Sequence, residues 1–118
     1  MIPIIGPVPQ SPRYPRRPIP GRHVFDTMLS YSAGRLWLKH FGPTMRKAPL
    51  VYLGRYVGRK SLVHARCVSW GIIISRRYYQ RTTNRAMNAL LLHELCHWAG
   101  WVHGPNLRRV LKAHGGTY

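Results

Sequence analysis

The sequence predicts a small α+β domain over residues 23–118, in which an N-terminal helix and a three-stranded antiparallel sheet precede a second, buried helix and a short C-terminal helix. Three observations lead there. A chain of 118 residues suits one small domain with a modest core. Apolar residues recur at helical spacing in two long stretches, with three short apolar runs broken by glycines between them. Proline crowds only the stretch before Gly21, which holds seven of the ten prolines.

That opening stretch interleaves its prolines with Arg13, Arg16, Arg17 and Arg22. Proline lacks the amide hydrogen that a helix or an interior strand needs, so residues 1–22 are predicted to form an extended basic arm. Two readings of the arm are open, a disordered tail or a strap along a phosphate backbone. The first helix is predicted from Asp26 or Thr27 to His40. Met28, Leu29, Tyr31, Leu36, Trp37 and Leu38 carry it, Gly34 is out of keeping with it, and Phe41, Gly42 and Pro43 end it.

Leu50 to Leu53, Leu62 to Val68 and Gly71 to Ser75 are short β-branched or apolar runs separated by Gly54, Gly58 and the turn region Ser69 to Gly71. They predict three antiparallel strands, the last two a hairpin. A second helix begins at Thr83 or Asn84 and runs through Ala86, Met87, Leu90, Leu91, Leu92 and Leu95 to about Ala99. Its apolar residues cover nearly every side, so it must be buried, and each polar residue inside it needs a reason to be there. A last helix, about Asn106 to Ala113, follows Pro105 and stops at Gly115 and Gly116.

Charge narrows the partners. Nineteen Lys and Arg against two acidic residues give a formal charge of +17, a field that attracts polyanions. DNA or RNA fits it, because each bound phosphate releases counterions, and so do an anionic membrane and an acidic protein. The two carboxylates are Asp26 and Glu94. Two cysteines are too few for a disulfide-stapled secreted scaffold and point to a reducing compartment. Met1 to Val8 is apolar but broken by Pro3, Gly6 and Pro7 with no basic residue before it, which is not the pattern of a signal peptide. No run approaches the roughly 18–20 apolar residues of a membrane-spanning helix. The expectation is a soluble protein, cytoplasmic or associated with nucleic acid.

The buried helix contains His93, Glu94, Leu95, Cys96 and His97, the pattern HExxH. Residues four apart share a helix face, so both imidazoles can reach one zinc ion with Glu94 beside them. A catalytic zinc takes three protein ligands and a water, and His103 is the third candidate. In an unbroken helix His103 would lie roughly 9 Å along the axis and roughly 240° around it from His97. The helix must therefore end between them, and Gly100 suits the left-handed conformation that ends helices. Such an ion acidifies a water, Glu94 accepts its proton, and the resulting hydroxide attacks a carbonyl, the chemistry of peptide-bond hydrolysis. Two other readings of the histidines are two satisfied polar residues in a helix and a structural zinc. The second would want a fourth ligand, and Cys96 points away from the histidine face by about 100° per residue.

The string His93 to His103 matches the metzincin pattern HExxHxxGxxH, but no methionine follows His103 as the methionine turn of that group requires. The surroundings resemble the SprT-like zinc peptidases, with HELCH at 93–97 and HGP at 103–105, and with Ala65, Arg66 and Cys67 followed by Gly71 to Ser75 similar to that family's strand pair. The resemblance covers about residues 25–116, and the segment between the second and third histidines is shorter than is usual there. It implies a small zincin-like fold of the minimal gluzincin kind. It also implies one Zn2+ per chain on His93, His97 and His103, Glu94 as catalytic base, and protein or peptide substrates associated with nucleic acid. The alternative is a non-enzymatic nucleic-acid-binding or virus-particle protein that keeps a zinc-stabilised peptidase fold.

Arg76, Arg77, Tyr78, Tyr79, Arg81 and Arg85 interleave cations with aromatics before the zinc helix, a composition suited to phosphate contact and base stacking or to a solvated charged connection. Arg108, Arg109 and Lys112 extend that candidate patch. Cys67 and Cys96 are expected to be small buried residues, and Trp98 and Trp101 to close the core around Gly100. His23, His40, His64 and His114 lack motif context, apart from the expectation that His114 or Tyr118 approaches the site and helps to hold an oxyanion.

Overall fold

Asp26 opens the first helix by accepting a hydrogen bond from the Leu29 backbone N–H at 2.7 Å, which satisfies one of the amides that a helix start leaves without a partner. The computed structural model describes residues 1–10, 14–55 and 63–118. In chain order these form β1 (His23–Phe25), α1 (Thr27–Phe41), β2 (Val51–Gly54), β3 (Ala65–Val68), β4 (Gly71–Ser75), α2 (Arg76–Arg81), α3 (Asn84–Trp98) and α4 (Pro105–His114). Helix α1 buries Leu29, Ala33, Trp37 and Phe41, a row at four-residue spacing that lays one face on the core. Thr83 caps α3 through the Ala86 N–H, and Gly115, in the left-handed conformation, closes α4.

The α+β class and three of the four helices agree with the sequence expectation, but the sheet does not. It has four strands in the order β1-β2-β4-β3 and is mixed: β2 runs parallel to β4, while β1 with β2 and β3 with β4 are antiparallel. The β3–β4 hairpin was expected, although Leu62 and Gly58 of the predicted boundary lie outside the described residues. The parallel pairing follows from β4 itself. Ile72, Ile73 and Ile74 are all fully buried, so that strand needs cover on both faces and a neighbour on each side. It therefore sits between β2 and β3 and leaves β3 at the sheet edge.

Ile72 and Ile74 join Val51 on the face covered by α1 and α3, whereas Ile73 joins Val68 on the other, under Tyr14 and Trp70. Fully burying side chains such as Leu91, Leu95 and Ile72 stabilises the fold by about 1.5–3 kcal/mol each. Two further departures matter for the site. Helix α2 was read as a basic and aromatic segment, for phosphate contact or as a charged connection, with no helix expected; Ser75 caps it by accepting from the Tyr78 N–H, and it buries no residue of its own. Among the described residues the N-terminal arm has no helix or strand before His23, as its prolines dictate, yet parts of it lie against the domain. Ile2 is only 2% exposed within the main core, and the Trp70 indole donates to the Pro15 carbonyl at 2.8 Å. Arg13 lies outside the described residues.

Candidate metal centre

Helix α3 is buried along most of its length, and its polar side chains are the ones the fold must account for. His93 and Glu94 are 6% and 5% exposed, and His97 is half-buried. The Nδ1 atoms of His93 and His97 lie 2.7 Å from the Thr117 carbonyl oxygen and 2.8 Å from the Trp101 carbonyl oxygen. A carbonyl only accepts, so in each ring Nδ1 carries the proton and Nε2 of the neutral imidazole is left with its lone pair.

Those lone pairs converge. The Nε2 atoms of His93 and His97 are 3.0 Å apart, those of His97 and His103 3.2 Å, and those of His103 and His93 3.3 Å. Three nitrogens held about 2.0–2.1 Å from a tetrahedral ion would be about 3.3–3.4 Å from one another. With Nδ1 protonated on His93 and His97, those two rings bring no proton to share between their Nε2 atoms, so the cluster is suited to a cation with nitrogen affinity. The donor set and its spacing fit zinc. Burial also keeps the ligands neutral, pushing His97 down to about 4 and His93 below the usual histidine value.

The geometry depends on how α3 ends. The Trp101 N–H donates to the Cys96 carbonyl at 2.9 Å and the Gly100 N–H to the His97 carbonyl at 2.9 Å, with Gly100 at φ +95°. This is the bonding pattern of a Schellman motif, which reverses the chain and aims the Trp101 carbonyl back at His97. The five residues between His97 and His103 are therefore enough to bring the third imidazole onto the first two, despite their short span.

Glu94 stands in the same cleft, a cavity of about 440 Å³ that the three histidines also line. Burial pushes its carboxyl up to about 7, partly offset by the Arg66 guanidinium and by a hydrogen bond from the Cys67 backbone. In the metal-free protein such a carboxyl takes up and releases a proton near neutral pH. Val63, Ala65 and Leu90 supply apolar wall, while Arg66 and His64 supply polar groups.

Tyr118 borders the cleft as expected. Its ring centroid is 6.0 Å from that of His93 and 5.7 Å from that of His103, and its hydroxyl accepts the Gly104 N–H at 2.8 Å. His114 does not approach the site. It turns to His40, with the two Nδ1 atoms 3.4 Å apart, because the end of α4 packs beside α1. His64, which lacked motif context, lines the cleft and stacks on Tyr78 at 4.2 Å. The Thr117 and Trp101 carbonyls were missed, since backbone acceptors leave no trace in residue identity.

The basic residues are on the surface. Arg76, Arg77, Tyr79 and Arg81 are exposed on α2 and Arg85 on the first turn of α3, while the face of Tyr78 is taken by His64. On α4, Arg108 lies over the Tyr118 ring, Arg109 donates to Asn106, and Lys112 is exposed. Helix α2 packs on β4 and α4 on α3, so the two basic groups sit on separate elements. Cys67 and Cys96 are free, buried thiols; burial raises both, Cys96 to about 12, so neither is a ready thiolate. Trp98 and Trp101 pack against the core, and Trp98 donates to the Lys47 carbonyl at 2.9 Å. No helix among the described residues is long and apolar enough to cross a membrane.

The sequence profile of the SprT-like family matches residues 18–118. No curated protein and no solved structure matches the chain.

Proposed function

The chain belongs to the SprT-like family, and from that premise we propose that it is a zinc-dependent metalloendopeptidase whose substrates are proteins associated with nucleic acid. The observation that carries this reading is the convergence of three Nε2 atoms at 3.0–3.3 Å beside a buried carboxyl in one open cleft.

His93, His97 and His103 would hold the ion, and a zinc bound there supplies a Lewis acid for a carbonyl oxygen and makes a nearby water more acidic. Glu94 accepts the proton of the attacking water and then delivers it to the departing amine. The Tyr118 hydroxyl has accepted the Gly104 N–H, so its own hydrogen remains to be donated to the oxygen that gains charge as the peptide carbonyl is attacked. The apolar wall of Val63, Ala65 and Leu90 receives a substrate side chain and limits water around the reacting bond.

Nucleic-acid association is supported by the charge balance. Asp26 caps α1 and Glu94 lines the cleft, so the chain has no other side-chain carboxylate to answer its 19 Lys and Arg. That same excess favours the second reading, a non-enzymatic nucleic-acid-binding protein with a zinc-stabilised peptidase fold. Elemental mass spectrometry of the purified protein and a His103→Ala variant tests the ion, with one zinc per chain expected and its loss or weakening in the variant. Glu94→Gln separates the two readings: it should abolish cleavage of a denatured protein substrate while zinc content and DNA binding persist. Full cleavage by that variant would sink the mechanism, and no cleavage by the native protein, with or without DNA, would favour the second reading.

A further inference from the structure

The matched family region begins at residue 18, yet the structure brings a segment from before it against the back of the metal centre. The Ile5 and Gly6 N–H groups both point to the Ala99 carbonyl, at 2.8 and 3.3 Å, which supplies donors to the C-terminal cap of α3. The Trp101 indole donates to the Pro3 carbonyl at 2.9 Å. Ile2 anchors the far end, buried in the core with its N–H on the His40 carbonyl at 2.7 Å. Gly6 and Gly100 meet backbone to backbone: a Cβ at Gly100 would fall 2.4 Å from the Gly6 nitrogen and 2.5 Å from its Cα. Beyond that crossing, Pro9 reaches the wall of the cleft.

These contacts form a chain that ends on a ligand. Trp101 is held at its indole by Pro3, and its carbonyl holds the Nδ1 proton of His97. Groups that orient a ligand imidazole govern how well it binds metal. We propose that residues 2–9 are a built-in clamp on the metal centre, a positioning element that fixes Trp101 and the α3 terminus so that His97 meets the ion in the right orientation. The clamp rests on the three-histidine reading given above. It makes metal affinity depend on a segment outside the family-matched residues, and it requires glycine at 100, where φ is +95° and a Cβ would strike the Gly6 backbone.

A clamp and a merely stabilising strap differ in what they change. A strap raises the melting temperature, whereas a clamp also sets the affinity and geometry of the metal. The test compares the full chain with Trp101→Phe, which keeps the backbone carbonyl and most of the ring but removes the N–H that reaches Pro3. Zinc affinity is measured by chelator competition and coordination geometry by the visible absorption of the cobalt-loaded protein, with melting temperatures recorded alongside. Trp101→Phe is expected to weaken zinc binding by about tenfold, the low end for groups that orient ligands, and to shift the cobalt bands. Gly100→Ala is expected to weaken binding more in the full chain than in a chain lacking residues 2–6, because part of its effect is the clash with Gly6. If the shortened chain does not fold, Trp101→Phe decides alone. Unchanged zinc affinity and unchanged cobalt bands, even with a lower melting temperature, overturn the clamp and leave the metal site standing. Failure of the unmodified protein to take up zinc or cobalt overturns the three-histidine reading, and the clamp with it.

Discussion

Glu94 is a single carboxyl in a site that is otherwise neutral or cationic, and its burial has a measurable consequence. Its folded-state pKa, about 7, lies above its ordinary value of 4.5, so in the metal-free protein the stability it contributes is full below about pH 4.5 and is lost as pH rises through 7. Glutamine keeps the shape and never ionises. In the presence of a chelator, Glu94→Gln should therefore be more stable than the native protein at pH 8 by ~3 kcal/mol, with the difference vanishing near pH 4.5. Thermal melts across that range check it; a difference that does not vary with pH would mean that Glu94 is not desolvated as described. His97 behaves in the opposite sense. Its pKa is depressed to about 4, so its contribution is present above about pH 6.5 and lost as pH falls toward 4, and zinc should be released over the same acid range as protons compete for the rings. Tyr118 offers a separate check on the chemistry. If its hydroxyl donates to the developing oxyanion, Tyr118→Phe should lower kcat by about a hundredfold with KM and zinc content little changed. An equal loss in zinc content would make it a structural neighbour of His93 and His103 instead. At this scale the sequence was informative about which side chains meet: the HExxH spacing picked out His93, Glu94 and His97, the need for a third ligand picked out His103, and the need to end a helix between them picked out Gly100. The Thr117 and Trp101 carbonyls were not, because every residue type carries the same carbonyl.

Elements were legible in proportion to their length and their internal pattern. Both fifteen-residue helices announce themselves by capping residues and apolar spacing, and a cap makes a direct prediction. Removing the Asp26 carboxylate leaves the Leu29 N–H without its partner, so Asp26→Ala should cost about 1 kcal/mol and lower the melting temperature by a few degrees, with zinc affinity unchanged. Denaturant titration of the zinc-loaded and chelated forms would measure both. Strand β1 escaped because three residues beside a proline-rich arm carry no alternation to detect, and α2 because its six residues, three arginines, two tyrosines and a glutamine, show no apolar face. The parallel pairing of β2 with β4 was partly encoded. An unbroken run of three isoleucines is the pattern of a strand covered on both faces, which argues for a central position and against a simple three-stranded meander. Ile2 and Ile4 were hidden by the prolines around them, which rule out helix and strand but say nothing against packing.

For the whole molecule the dominant quantity is charge. Burial keeps Glu94 within the cleft and Asp26 occupied at a helix start, so the surface cations on α2 and α4 face solvent without a compensating population of carboxylates. If that surface binds nucleic acid, each neutralised phosphate releases counterions, and log K should fall linearly with log salt at about 0.9 per phosphate on duplex and about 0.7 on single strands. Replacing Arg76, Arg77 and Arg81 by glutamate would remove three of the exposed cations of α2, none of which lines the cleft. The slope on duplex DNA should then become shallower by about 2–3, and affinity at low salt should drop, while cleavage of a short uncharged peptide is unaffected. The two readouts separate the surface from the site: loss of DNA binding with peptide cleavage intact makes α2 a substrate-recruiting surface, and a shared loss makes the substitutions damaging to the fold. A salt response that is flat in the native protein argues against phosphate contacts altogether and moves the search for a partner to an acidic protein or an anionic membrane, the other surfaces that a charge of +17 would attract.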